Sequence, residues 1–412
     1  MSKVLKGSFE LMKQLNIAAI LNVLRTKEKM SRAEIALITG LTPASITNIT
    51  KFLLKAGYLN ETGIGESNGG RPPVILELNP EARYTIGVNL NVGIIEVVAA
   101  NLNANIIAKK TIEVADKEDE KKYVVVLNQI ISMINGIIYE NNIQKDKITG
   151  IGMAVHGVAN ASTGILEFSP YYNWRNVPIA YDIENAIGYS VFIDNDVRAM
   201  ALGESWFGSA KGVDNFITIN ISNGIGAGII IDNKPYYGVN HSSGEIGHIV
   251  VDPDGPKCCC GNYGCLESIA SNKSLVKKSI KLIKQGTETS ILKEKRDIQN
   301  ITIEDICDAA NNGDEAAIML LKESGRYIGL VISNLVNILN PTEIVMVGET
   351  MTSNDYALES IKTTVKNVGF MVPSQNVKIV QSALGNNAAA VGAVTLVLEE
   401  IFNGREFAEG NN

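Results

Sequence analysis

Across residues 11–25 the apolar positions Ile17, Ile20, Leu21 and Leu24 recur every three or four residues, the period of one helix face, and predict a first amphipathic helix. Ser31-Arg32-Ala33-Glu34 has the form of a capping box. The Ser31 hydroxyl and the Glu34 carboxylate would each take a free amide of the first turn, and Gly40 supplies the left-handed stop. Thr42 as N-cap and Pro43 at the first helical position open a third helix that runs through Leu53 and ends at Gly57. Two short helices joined by a Gly-containing turn are the mark of a helix-turn-helix. On the third helix Ile46, Ile49 and Leu53 share the inward face, which leaves Ser45, Thr47, Asn48 and Lys51 outward. Strand-like stretches over 58–62 and 73–78 flank Gly63, Gly65, Gly69, Gly70 and then Arg71, a pattern that reads as a wing.

After Pro80 the periodicity changes. Strands are expected over 85–90, 94–100 and 105–114, then a helix over about 121–141 and a strand over 150–155. The order returns with strands over 215–221, 227–231 and 246–251, a long helix over 315–339 and a strand over 343–347. Three antiparallel strands followed by helix–strand units, twice, predict an α/β body of two similar lobes, with a ligand cleft between them. The division expected is a winged helix-turn-helix over 1–80, a first lobe over 81–195 and a second over 196–412.

Charge separates the same parts. Residues 1–80 hold 10 Lys and Arg against 6 Asp and Glu, and the remainder holds 27 against 38. A basic head on an acidic body suits an anion such as nucleic acid at the head, while bulk attraction of DNA to the body is excluded. Ser45, Thr47, Asn48 and Lys51 are side chains suited to base edges and phosphates, and an Arg71 held on a glycine-rich loop suits a narrow minor groove. The competing reading is a helical hairpin used for dimerisation, its glycine loop merely flexible. With 45% hydrophobic and 20% charged residues in 412, disorder is excluded. No apolar run reaches the ~18 residues of a spanning helix. The longest, 388–398, lies between Asn387 and Glu399, and the stretch 15–24 is interrupted by Asn16 and Asn22. The expectation is a cytoplasmic protein without membrane insertion.

Four of the five cysteines fall in Cys258-Cys259-Cys260-Gly261-Asn262-Tyr263-Gly264-Cys265, with His248 upstream. A cytoplasmic setting argues against disulfides. Thiolates and an imidazole on a loop with glycines to fold it back favour tetrahedral Zn²⁺ in a structural site, most simply on His248, Cys258, Cys260 and Cys265. Exchange of Cys259 for a neighbour, and a set of free thiols or a redox centre, are the alternatives. Cys307, alone in a helical stretch, reads as packing.

Gly244-Glu245-Ile246-Gly247-His248 and Cys-x-Cys-Gly-x-x-Gly-Cys-Leu-Glu267, preceded by Asn195-Asp196 and Gly224-Ile225-Gly226-Ala227-Gly228, resemble the ROK family of repressors, open reading frames and sugar kinases. The head followed by Gly69-Gly70-Arg71-Pro72 resembles its transcriptional regulators. The resemblance implies an actin-like, ribonuclease-H-like double lobe with a sugar in the cleft, held by Asn195, Asp196, Glu245, His248 and Glu267. In kinases of the family the acid at Asp196 is the general base for phosphoryl transfer. Their Asp-x-Gly-Gly-Thr phosphate loop is replaced here by Asn89-Leu90-Asn91-Val92-Gly93, their Gly-Thr-Gly by Ser222-Asn223-Gly224, and a later glycine run by Gly348-Glu349-Thr350. The resemblance therefore implies a repressor and not an enzyme: a dimer or higher homo-oligomer on a palindromic operator, released by a monosaccharide such as xylose, with glucose or N-acetylglucosamine next. Two alternatives are a sugar kinase carrying a DNA-binding head and a repressor controlled by sequestration on a protein partner.

Overall fold

A computed structural model describes residues 9–64, 72–115, 118–119, 121–292 and 297–407. The head contains α1 (Phe9–Lys27), β1 (Lys29–Ser31), α2 (Arg32–Thr39), α3 (Pro43–Lys55), β2 (Leu59–Ile64) and β3 (Val74–Leu78). The capping box forms as the residues require: Glu34 N–H donates to Ser31 Oγ at 3.3 Å, and Ser31 N–H donates to Glu34 Oε2 at 2.7 Å. Gly40 ends α2 with φ 69°, and the Thr42 hydroxyl accepts from Ser45 N–H at 3.2 Å to start α3. Ile17, Ile20, Ile35, Ile46 and Leu53 close a fully buried core under a three-stranded antiparallel sheet of order β1-β3-β2. Residues 65–71, including Arg71, lie outside the described residues.

The first lobe contains β4 (Tyr84–Asn91), β5 (Ile94–Asn101), β6 (Ile106–Glu113), α4 (Tyr123–Glu140) and β7 (Ile148–Val155). It continues through β8 (Val158–Asn160), β9 (Ile165–Ser169), β10 (Trp174–Val177), α5 (Ile179–Ile187) and β11 (Val191–Asn195). After α6 (Asp196–Phe207), the second lobe contains β12 (Phe216–Ile221), β13 (Ile225–Ile231), β14 (Lys234–Pro235), α7 (Leu266–Ala270), α8 (Asn272–Lys284), α9 (Ile303–Asn311) and α10 (Glu315–Leu339). The chain then runs through β15 (Glu343–Val347), α11 (Glu349–Thr352), α12 (Tyr356–Val368), α13 (Met371–Asn376), β16 (Lys378–Gln381) and α14 (Ala388–Phe402).

The two main sheets have the same construction. One has the order β11-β7-β4-β5-β6 and the other β16-β15-β12-β13-β14, each with three parallel strands and two antiparallel ones on one side. The duplication expected from element order is therefore a duplication of topology. Parallel strands buried on both faces carry near-continuous apolar runs, as in Ile217, Ile219, Ile344 and Met346 of the second lobe.

One expected strand is absent. Residues 246–251 form a 3₁₀ turn (Ile246–His248) and a loop joined to the metal segment by a Val250–Cys265 bridge, and the third antiparallel strand is the two-residue β14. The backbone is wound too tightly there for a ladder: a Cβ on Gly244, at φ +88°, would lie 1.8 Å from the Ala227 carbonyl oxygen, and one on Gly247 would lie 2.3 Å from that of Ile225. That winding delivers His248 to the cysteines.

Among the described residues α4 alone is long and apolar enough by composition to cross a membrane, but Val126, Ile130, Ile134 and Ile137 of its inner face are buried in the first lobe's core. Between the lobes α6 and α14 cross at contact distance. α14 also packs on β4 and β7, so the last helix of the chain returns to the first lobe.

Candidate functional site

The parallel strands of both sheets end at the interlobe cleft, where open α/β sheets bind ligands. β11 ends in Asn195, and α6 begins at once with Asp196. Asn195 caps α6, its Oδ1 accepting from Val197 N–H at 3.0 Å and Arg198 N–H at 3.2 Å, while its Nδ2 donates to the Gly157 carbonyl at 3.0 Å and to Asp196 Oδ1 at 2.9 Å. Beneath this junction lies a buried ion pair, with Arg198 Nε 2.8 Å and Nη2 2.6 Å from Asp194 Oδ1. The same guanidinium donates to the carbonyls of His241 and Ala159. The cap fixes the Asn195 and Asp196 side chains, and the ion pair fixes the backbone that carries them.

Asn195, Asp196, Glu245, His248 and Glu267 all line one cavity of about 300 Å³, at the small end of ligand sites. Glu267 projects from the first turn of α7 and accepts from Ile225 N–H at 3.2 Å. Glu245 stands 3.9 Å from His248 Nε2. Burial pushes the Glu245 carboxyl above its ordinary value; His248 and His156 pull it back, and Asp196 and Glu267 add to the rise. Two or more carboxylates with an amide in so small a cavity match a polyhydroxylated ligand, whose adjacent hydroxyls each need an acceptor.

His156 completes the ring and escaped the sequence reading. It follows β7, with Nδ1 3.7 Å from Asp196 Oδ2. Burial by itself disfavours its charge, but Asp196, then Glu267 and Glu245, outweigh burial and raise it above the usual imidazole value. The signal available was its place after the predicted strand 150–155, at a carboxyl end equivalent to that of Asn195.

Behind the cavity, His248, Cys258, Cys260 and Cys265 bring one ligand atom each to within 4.8 Å of one another. Cys258 Sγ is 3.6 Å from His248 Nδ1, and Cys260 Sγ is 3.7 Å from Cys265 Sγ. His248 thus faces the thiols with Nδ1 and Glu245 with Nε2, a shared wall between a metal-competent cluster and the cavity. Cys259 Sγ lies 3.5 Å from Glu267 Oε1 and 3.9 Å from Cys258 Sγ, and with His248 and Glu267 it makes a second group whose ligand atoms fall within 4.8 Å of one another. Cys307 is buried and donates to no cluster; Asn354 Nδ2 lies 3.2 Å from its sulfur.

Two of the loops that depart from the kinase pattern are held by contacts of their own. Asn91 Oδ1 accepts the N–H of Val92 at 2.7 Å, using an amide that a phosphate loop would leave free. Gly348, at φ +112°, is wedged against Ile221, since a Cβ there would lie 2.0 Å from the Ile221 oxygen. The following Glu349 is pushed above the ordinary carboxylate value by burial and by Glu304.

On the head, Thr47, Asn48 and Lys51 are exposed on α3 and Ser45 is half-buried. The Thr47 hydroxyl is turned back onto the Pro43 carbonyl at 2.8 Å, and Ser45 Oγ accepts from Thr42 within the cap at 3.0 Å. Asn48 and Lys51 are the side chains presented outward without such a bond. Arg32 ties the helices to β2, donating to Thr50 Oγ1 at 3.0 Å and to Glu61 Oε1 at 2.9 Å.

The profile of the ROK family matches residues 85–400. Among curated proteins, the xylose repressor of Caldicellulosiruptor bescii is 32% identical over 402 residues, covering 98% of this chain and 100% of its own. The regulator NagC of Escherichia coli, a DNA-binding transcriptional dual regulator, is 30% identical over 398 residues, covering 97% and 96%. Among solved structures, a ROK family transcriptional regulator described as a homologue of the Escherichia coli MLC protein superposes with a TM-score of 0.82 at 32% identity, over 95% of this chain and 97% of its own. A ROK glucokinase from Streptomyces griseus, solved with glucose and AMPPNP, gives 0.69 at 26% identity over 76% of this chain and 98% of its own.

Proposed function

The chain belongs to the ROK family, and from that premise we propose that it is a sugar-responsive transcriptional repressor of a carbohydrate-utilisation operon, with xylose the first candidate inducer. The head over 1–80 reads operator DNA through Asn48 and Lys51, with Thr47, Ser45 and Arg71 beside them. The lobes over 81–195 and 196–412 enclose the monosaccharide between Asn195, Asp196, Glu245, His248 and Glu267, with His156 opposite Asp196. A homodimer in the cytoplasm, presenting two heads to a palindromic site, is the working form.

His248, Cys258, Cys260 and Cys265 hold a structural Zn²⁺. A tetrahedral ion with ordinary Zn–S and Zn–N bonds needs S···S edges of about 3.8 Å and S···N edges of about 3.6 Å. The Cys260–Cys265 and Cys258–His248 separations of 3.7 and 3.6 Å support that fit. An ion bound by these four residues would keep the ring of His248 oriented toward the cavity, as partners of a ligand histidine do.

The observation that supports the reading is a three-helix head on the same chain as a carboxylate-lined cavity, beside a loop whose Val92 amide is held by Asn91. Asp196 then serves as a hydroxyl acceptor and not as the base of a phosphoryl transfer. Release of DNA requires that the sugar prefer one lobe arrangement, because a ligand of equal affinity for both shifts nothing. The test is thermal-shift and operator-binding titration against xylose, glucose and N-acetylglucosamine, with a coupled MgATP assay alongside. One of these sugars is expected to raise the melting temperature and weaken operator binding with no phosphorylated product. ATP-dependent turnover abolished by Asp196→Asn would overturn the reading.

A further inference from the structure

The segment that follows α14 makes hydrogen bonds and ring contacts between head and body. Phe402, the last residue of α14, gives its carbonyl to Asn22 Nδ2 of α1 at 2.7 Å, and its ring meets Trp206 of α6 edge-on with centroids 5.5 Å apart. Arg25 of α1 lies 3.9 Å over that Trp206 ring. Gly404 turns at φ +75° hard against the Gln14 carbonyl, where a Cβ would sit 2.6 Å from the oxygen. The chain then lays Phe407 against Tyr58, with centroids 5.1 Å apart, and against Phe52 of α3 at 6.1 Å. Glu406 Oε1 accepts from the Tyr58 hydroxyl at 2.6 Å and from Arg83 Nε at 3.2 Å.

This clasp is continuous with the sugar cavity. α6 starts in it at Asp196, and α6 and α14 are locked by a glycine crossing. A Cβ on Gly392 would be 2.2 Å from the Ala199 oxygen, and one on Gly203 would be 3.1 Å from Gly392 N. Helices in backbone contact move as one body, since a close-packed interface shifts as a unit or not at all. Beside the clasp lies an open cavity of about 850 Å³, lined by Phe52, Tyr58, Arg83 and Phe407.

We propose that Glu406 and Phe407 are positioning residues that hold the DNA-binding head to the α6–α14 pair and transmit occupancy of the sugar cavity to it. The proposal rests on the repressor reading above. A change of lobe closure rotates α6 at its Asp196 end, α14 follows through the Gly392 contact, and the clasp re-aims α3 through Tyr58 and Phe52.

The test separates coupling from binding. Wild type, Phe407→Ala and Tyr58→Phe are titrated with an operator duplex selected by the wild-type protein from a random library, with and without saturating xylose, glucose or N-acetylglucosamine; sugar affinity is measured separately without DNA. Wild type is expected to lose operator affinity by about 5–150-fold on addition of the effective sugar, the usual range of such coupling. In both variants sugar affinity stays within about twofold while that factor falls at least about threefold, toward unity in Phe407→Ala. An unchanged factor in both variants overturns the clasp and leaves the repressor reading intact. A wild type that answers to none of the sugars overturns both. If Phe407→Ala fails to fold, Tyr58→Phe, which deletes only the hydroxyl on Glu406, decides.

Discussion

Replacing Arg198 by Met tests what holds the cleft's floor. Its guanidinium is 3% exposed and makes hydrogen bonds to Asp194, to the His241 carbonyl at 2.8 Å and to the Ala159 carbonyl at 3.2 Å. Met keeps the apolar stem but leaves Asp194, 1% exposed, as a buried charge without its counterion. Removing one partner of a buried pair costs ~3–5 kcal/mol, and each carbonyl left without a donor adds ~1–3 kcal/mol unless water reaches it. Arg198→Met is therefore expected to lose on the order of 4 kcal/mol or more in urea unfolding followed by Trp174 and Trp206 fluorescence.

Two controls make the argument specific. Adding Asp194→Asn removes the stranded charge, so the double variant should be ~1–3 kcal/mol more stable than Arg198→Met alone. Burial already raises the Asp194 carboxyl above its ordinary value, with Arg198 opposing that rise. Without Arg198 the folded state binds this proton still more tightly than the unfolded chain does. The loss should then be larger at about pH 8 than at about pH 5, as protonation at the lower pH neutralises the group. Equal losses at both pH values, or a double variant less stable than the single one, would refute the reasoning.

His156 is raised by Asp196, Glu267 and Glu245 against the effect of burial. Its imidazolium therefore contributes stability that is fully present below the ordinary value of about 6.5 and is lost as pH rises through the higher folded value. Melting temperature should fall over that window, and His156→Gln should flatten the fall; identical profiles would remove the ring of carboxylates as its cause. Cys265→Ser should lower metal content by elemental analysis, whereas Cys259→Ser should leave it near wild type; the reverse result would reassign the ligands. Gly392→Ala forces a methyl to 2.2 Å from the Ala199 oxygen and should cost ~1–3 kcal/mol or more in thermal unfolding, an outcome checked by calorimetry.

Much of the fold was legible because short-range physics wrote it. Ser31 with Glu34, Thr42 with Pro43, and Gly40 mark helix ends whose hydrogen bonds span three or four residues, and they stand where those residues required. The long helix over 315–339 and the strand over 343–347 have the expected bounds because periodicity and an αL stop at Asn340 are both local. Residues 246–251 defeated the same reasoning. Ile246, Ile249, Val250 and Val251 have strand composition, but the tight approach of Gly244 and Gly247 to β13 takes the ladder away.

The sequence by itself determined the helices of the head, the first three strands of the first lobe, the two-lobed body, the basic head and the Cys–His inventory, since each depends on composition or on bonds between near neighbours. Only the tertiary structure decided that His156 faces Asp196, that Cys259 reaches Glu267 as well as His248, and that Glu406 meets Tyr58 across 348 residues. Contacts of that separation are set by how whole sheets and helices pack, and no local pattern of residues encodes where two distant segments come to rest against each other.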